Sequence, residues 1–245
     1  MSLETEIAGL TSKATALIEY FTNAKSSIAS AVAAAIAAAP SISRTFYVSQ
    51  STGDDTALGT VDAPMKTITR ALASTPKGGT CEILLVKDYV LDSTIVVNNR
   101  RVVLRSESGL VTGSKLILNE YIAADGVRQM GSFQAKGDAS FEITDLTLSL
   151  PNSAAATGTI GTYYAFIYAG GNSMPVFLPV KLYNAAFELR GTFAGKIIGA
   201  GIPCLSLSAI NTTIPAALEG SMVTGVAAGK DPSTLPNIIT NIAKL

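Results

Sequence analysis

The chain has 245 residues with 18 basic and 18 acidic side chains. A net charge of zero leaves no basic excess to hold nucleic acid or an anionic membrane surface. Histidine and tryptophan are absent; this removes the Ser-His-Asp and Cys-His catalytic arrangements, imidazole zinc sites, the commonest neutral-pH base and the broadest stacking ring.

From the amino terminus, apolar residues recur at alternating steps of four and three: Leu3, Ile7, Leu10, Ala14, Leu17, Phe21, Ala24, Ile28 and Ala31. A sustained 3.5-residue repeat asks for other helices of the same kind, so this run predicts a coiled-coil seam and a homo-oligomer. Leu3, Leu10 and Leu17 share one seam position, and Ile7, Phe21 and Ile28 the other; that composition excludes neither two nor three strands. The alanine-rich stretch that follows is helical by propensity, and Pro40 is expected to end it. Ile28, Val32 and Ile36 step by four, so the stripe drifts off a strict heptad there. Glu4 and Glu6 stand where a signal peptide would be basic, and residues 27–40 hold too few apolar side chains for the ~20 a membrane span needs. The expectation is a stalk over residues 1–40 with no membrane insertion.

From Phe46 the helical period gives way to short apolar runs with polar punctuation. Met65, Ile68 and Leu72 predict a short helix with Pro64 in its first turn. The cluster Pro76-Lys77-Gly78-Gly79 stops it. Runs follow at 82–86, 94–97, 101–105 and 115–118. Asp92-Ser93, Asn98-Asn99 and Ser106–Ser108 supply polar corners. Phe141-Glu142-Ile143 alternates, and Leu146, Leu148 and Leu150 alternate again after a reset at Thr144-Asp145. Residues 152–162 are small and polar and suggest a boundary. Beyond them come Tyr163–Tyr168 and strand-like runs at 176–178, 180–183, 186–189, 196–198 and 205–207. Residues 229–236 read as loop, and 237–245 as a small terminal helix or strand. Cys81 and Cys204 sit among apolar residues, as buried free thiols do, and their spacing makes no metal site.

The order Phe-Tyr-Val-Ser, Gly-Asp-Asp, Gly-Thr, Ala-Pro-Met-Lys-Thr-Ile, Ala-Leu, Gly-Gly, Ile-Leu-Leu-Val-Lys-Asp-Tyr over residues 46–89 resembles the opening of right-handed parallel β-helix domains in bacteriophage tail fibres and tailspikes. The resemblance extends over roughly residues 46–106. It implies that the short helix plugs the open end of the coil, that the strands stack in rungs, and that the amino-terminal helix attaches a trimer to the particle. The fold class expected is mainly β with an N-terminal α-helical coiled-coil stalk, the β part a parallel β-helix; a β-sandwich, or a short coil followed by a sandwich, is the alternative. The division expected is a stalk at 1–40, a helix-capped β domain at 41–150 and a β-rich region at 151–245.

Glycoside cleavage needs two carboxylates at a set separation. Asp138, Glu142 and Asp145 are candidates, then Glu120 and Asp125; Glu142 is expected on the outer side of its strand and Asp145 at a corner. The more economical expectation for all five is solvated or corner carboxylates, so no catalytic residue is assigned. Asp54-Asp55 is expected to cap a turn, with loop cation binding as the alternative. Tyr163, Tyr164 and Tyr168 form the one aromatic cluster, either glycan-stacking or buried. Ala169-Gly170-Gly171-Asn172 reads as a turn, since no Lys-Ser/Thr follows as in a phosphate loop. The function expected is a homotrimeric, structural phage fibre protein of the virion, made in the host cytoplasm. Its partners would be its own copies, other virion proteins and host surface polysaccharide; no metal or cofactor is expected. A tailspike-type polysaccharide depolymerase and a non-viral adhesin or coat protein are the alternatives.

Overall fold

A computed structural model of the chain describes residues 2–38, 42–154, 158–171, 173–201 and 204–245. The chain divides into two compact units, Met1–Pro40 and Ser41–Leu245.

The first unit is one helix, α1 (Leu3–Ala38), of 36 residues. Ser2 closes its amino terminus: its carbonyl accepts the Thr5 amide at 3.0 Å, and its hydroxyl bonds the Thr5 hydroxyl at 3.0 Å. Glu4 and Glu6 lie in the first turn, where the helix dipole favours negative charge. The expected stop at Pro40 lies outside the described residues. No helix among the described residues is long and apolar enough to cross a membrane.

The second unit opens with β1 (Ser43–Val48) and α2 (Ile68–Ala73). Next come β2 (Thr80–Leu85), β3 (Tyr89–Leu91) and β4 (Thr94–Asn98), then β5 (Arg101–Ser106) and β6 (Lys115–Leu118). A hairpin of β7 (Glu120–Ile122) and β8 (Arg128–Met130) precedes β9 (Ser132–Lys136). After it run β10 (Ser140–Thr144), β11 (Thr147–Leu150), β12 (Ala165–Ala169), β13 (Leu178–Tyr183), β14 (Ala186–Leu189) and β15 (Lys196–Ala200). The last strands are β16 (Leu205–Ile210) and β17 (Ile238–Thr240).

These strands form three parallel sheets. The largest has the order β1-β2-β5-β10-β13-β16-β17, the second β3-β6-β11-β14 and the third β4-β9-β12-β15. Among the described residues the β7–β8 hairpin is the one antiparallel pair of strands, so the antiparallel pairing a sandwich requires is missing from the three main sheets. Pairing continues past residue 150: β10 pairs with β13, β11 with β14 and β12 with β9 and β15.

Register explains the core. Phe46, Ile83, Leu104, Ile143 and Leu182 stand in line across the large sheet, and all five are buried. Cys81, Val102, Phe141, Val180 and Leu207 form a second buried line. The second sheet contributes Tyr89, Leu116, Leu148 and Phe187, and the third Ile95, Phe133, Ile167 and Ile198. Because strand side chains alternate with period two, the residues between these lines face outward and are polar: Thr45, Glu82, Glu142, Lys181 and Ser208 share one row with Val103. Burying each large apolar side chain contributes about 1.5–3 kcal/mol, so aligned columns reinforce one another at every strand.

The corners are set by backbone handedness. Asp145, Asn184 and Asn211 each follow a strand of the large sheet, with φ of 49°, 47° and 49°. Asn and Asp tolerate this left-handed conformation better than other side chains. They also stack: Asn184 donates its side-chain amide to the Asp145 carboxylate at 2.6 Å. At another corner Asn99 (φ 49°) lies against Gly137, where an added Cβ would fall 1.8 Å from the Asn99 Oδ1.

Parallel sheets leave edges, and α2, Gln50 and Asn241 cover parts of them. Helix α2 buries Ile68, Ala71 and Leu72 in the same continuous core as Phe46, Ile83, Tyr89 and Ile95. The helix begins at Ile68, three residues later than the sequence suggests, and Pro64 lies outside it. Asp55 accounts for this: its carboxylate takes the amides of Lys66 and Thr67 at 3.0 and 2.8 Å, while Met65 bridges Val48 as strand. The Gln50 side chain then pairs with both backbone groups of Val90, at 2.7 and 2.8 Å, in place of a neighbouring strand. Asn241 does the same for Ala209, at 2.8 and 2.7 Å. Such false strands satisfy an edge that would otherwise recruit another chain.

Candidate functional site

Three groups of residues carry the surface chemistry. The first is the stripe on α1. Leu3, Ile7, Leu10, Leu17, Phe21 and Ile28 are 55–73 % exposed. Ile18, Tyr20 and Val32 are exposed as well and widen the stripe beyond the nine seam residues read from the sequence. A row of large apolar side chains in water is unfavourable by about 25 cal/mol per Å² relative to its burial. Ala14 and Ala31 are exposed and Ala24 is half-buried.

The second group gathers near β12. Tyr163, Tyr164 and Tyr168 do not act together. Tyr163 stacks on Tyr168 with ring centroids 4.8 Å apart and planes at 27°. Tyr163 is 40 % exposed and Tyr168 only 6 %. Gly170 makes room, since a Cβ there would lie 2.8 Å from the Tyr163 ring. Tyr164 is buried and enters a polar network. Its hydroxyl donates to the Glu120 carboxylate and hydrogen-bonds with Ser153 at 3.0 Å, while the Arg128 guanidinium lies 5.6 Å from its ring centre. Burial, then the hydrogen bond to Glu120, pushes the Tyr164 hydroxyl well above the usual tyrosine range. Burial also raises Tyr168. Tyr121, which the sequence did not single out, hydrogen-bonds with Thr94 at 3.0 Å, and Thr94 with Ser132 at 2.9 Å. The tyrosines part because the β7–β8 hairpin brings Glu120 and Arg128 to Tyr164 from far away in the chain. The turn after β12 contains Gly171 at φ 82°, and the expected Asn172 lies outside the described residues.

The third group is the carboxylates. Glu142 faces outward from β10 between two cations, with Lys181 at 2.8 Å and Arg101 at 2.5 Å. Burial would raise its carboxyl, but the hydrogen bonds and charges of Lys181 and Arg101 outweigh this and hold it below the usual range. A carboxyl kept ionised in this way is a poor general acid. Asp145 stands at the corner after β10 and accepts from Asn184. Asp138 donates its backbone amide to Asn99 at 2.8 Å. Asp125 accepts the Val127 amide at 3.0 Å in the hairpin turn, and Glu120 belongs to the Tyr164 network. Asp54 accepts from the Thr56 amide and hydroxyl, each at 2.8 Å, and these bonds lower its pKa. With Asp55 on α2, both members of that pair cap backbone. Among the described residues no three His, Cys, Asp or Glu side chains converge as metal ligands. Both cysteines are free; Cys81 is buried, and burial pushes its thiol up to about 11.

Comparison with protein-family models, with curated proteins and with solved structures gives no match.

Proposed function

We propose that this protein is a self-associating structural subunit of the fibre type, a homotrimer joined through α1. In this reading α1 is a coiled-coil stalk that docks to other virion proteins, and the second unit is a rigid body offered to a host surface glycan. One observation carries it: the exposed apolar row from Leu3 to Ile28. Ile18 and Tyr20 flank that row on both sides. A helix in a trimer touches two neighbours and buries a wider arc than a helix in a dimer, which favours three copies.

The second unit is read as a parallel β-helix. Successive strands visit the large, second and third sheets in rotation: β2, β3, β4; then β5, β6, β9; then β10, β11, β12; then β13, β14, β15. Each visit adds a parallel strand beside its predecessor, and the general handedness of parallel connections makes the turn right-handed. Stacked Asp145 and Asn184 corners fit a repeated turn. A rigid body of this kind, presented three times, gains adhesion through multivalency even from weak individual contacts.

Light scattering coupled to size exclusion on the intact chain tests this reading. A mass of three chains that is stable on dilution is expected; a single-chain mass overturns it.

A further inference from the structure

Beside α2 and β4 lies an open cleft of about 350 Å³, lined by Thr69, Leu72, Ala73, Thr94, Val96 and Arg100 with Ile95 at its floor. This volume sits at the small end of ordinary ligand pockets. Leu72 and Ile95 are buried side chains whose edges form the base, and Val96 is half exposed. Thr69 and Thr94 also belong to the lining. The Thr94 hydroxyl is engaged with Tyr121 and Ser132, and the exposed Thr69 supplies the hydroxyl of the lining.

Arg100 is the charged group of the cleft. Its Nε donates to the Thr75 carbonyl at 2.8 Å and one terminal nitrogen to the Asn98 carbonyl at 2.9 Å. These two bonds immobilise the guanidinium and leave the rest of its five-donor fork unspent. Among the described residues the ion pairs engage Arg101, Arg105, Lys115, Arg128 and Lys181, and none engages Arg100. A positioned, carboxylate-free guanidinium over an apolar floor is complementary to an anion with an apolar body.

We propose that this cleft binds the carboxylate of a sugar acid. The carboxylate pairs with Arg100, a ring hydroxyl meets Thr69, and the C–H face of the ring lies on Leu72, Ile95 and Val96. A simple fatty carboxylate has no use for the Thr69 hydroxyl, and a neutral sugar has none for the guanidinium. The inference deepens the glycan-contact part of the proposed function but is independent of assembly through α1, so its failure leaves the mass of the protein unchanged.

The test is calorimetric titration of the intact chain with glucuronate, glucose and hexanoate. Glucuronate is expected to bind in about the millimolar range for a ligand of its size, with glucose and hexanoate each at least about tenfold weaker. Arg100→Gln should weaken glucuronate at least about tenfold. Because Arg100 also ties Thr75 to Asn98, a second variant, Ala73→Phe, fills the cleft from an exposed position and should abolish binding with an unchanged melting temperature. A glucuronate tetrasaccharide separates two sources of the same chemistry: tighter binding than the monomer assigns the site to a polysaccharide, and equal binding to a free sugar acid. No heat with glucuronate, equal binding of glucose, or full binding by the Ala73→Phe variant overturns the proposal.

Discussion

The two units of the chain treat their apolar residues in opposite ways. In Ser41–Leu245 the aligned columns of the three sheets are buried within the unit, backbone groups at Val90 and Ala209 are occupied by the side chains of Gln50 and Asn241, and the large apolar residues left exposed, such as Leu58, Ile122, Val176 and Ile239, lie on separate elements and loops. In α1 the apolar row is open along its length. Isolated helices are marginal in water and take most of their stability from packing an apolar face. The contrast teaches where assembly energy can come from: a unit whose apolar columns are already buried has less to gain from a neighbour than a helix whose apolar row is open.

The sharpest way to break this contrast is to charge the open row. The double variant Leu10→Asp, Leu17→Asp is expected to dissociate the protein to single chains, because unpaired carboxylates in a seam are strongly unfavourable. Sedimentation velocity reads the mass, and calorimetry should show the melting of the second unit unchanged. An unaltered mass would remove α1 from assembly.

The reciprocal change hollows the closed core. Phe133 is fully buried, with its ring 5.8 Å from Phe166 and 5.9 Å from Phe141. Phe133→Ala should cost about 3–5 kcal/mol in denaturant unfolding of the second unit while leaving the mass of the assembly intact under native conditions. A smaller effect is expected at the corners. Asn184→Ala forces an ordinary side chain into φ 47° and removes the bond to Asp145, for a loss of about 1–2 kcal/mol. Asn184→Gly, which accepts that φ freely, should recover most of it. Equal losses in the two variants would mean that the side-chain bond dominates.

The smallest effect concerns the outer face. Glu142→Gln should cost no more than about 1 kcal/mol, because the side chains of Arg101 and Lys181 are 55 % and 42 % exposed and solvent screens the pairs. The pH dependence has a definite sign. The Glu142 pKa is lowered in the folded protein, so its contribution is present above the unfolded carboxyl value and is lost as pH falls through the folded value. The stability difference between the parent and Glu142→Gln should therefore shrink on acidification below the ordinary glutamate range. A difference that is flat from neutral to acid pH would show that Glu142 is not held by its cations.

Much of this architecture is legible in the chain. The long helix is visible because its period runs through more than four heptads, and the strands at 101–106, 140–144 and 186–189 are visible because apolar and polar residues alternate or because corners bracket them. The outward position of Glu142 follows from the same alternation. What is hidden depends on partners distant in sequence. The three residues of β3 are too few to show a period. Strand β9 carries Gln134 and Lys136 on its outer side and looks like loop. The onset of α2 is displaced because Asp55, more than ten residues away, takes the amides of Lys66 and Thr67 just before it. Tyr163 and Tyr164 look equivalent side by side; only the β7–β8 hairpin, which brings Glu120 and Arg128, makes one a surface ring and the other a buried donor. The composition change near residue 151 falls between β11 and β12, and the sheets carry through it.

The measurement that bears most directly on the contrast is the mass in solution of the intact chain beside a version beginning at Ser41. A trimer for the first and a folded single chain for the second is the predicted result, with unchanged far-ultraviolet β signal in the shortened form. A trimer in both would place assembly in the second unit, and a single chain in both would contradict association through α1 altogether.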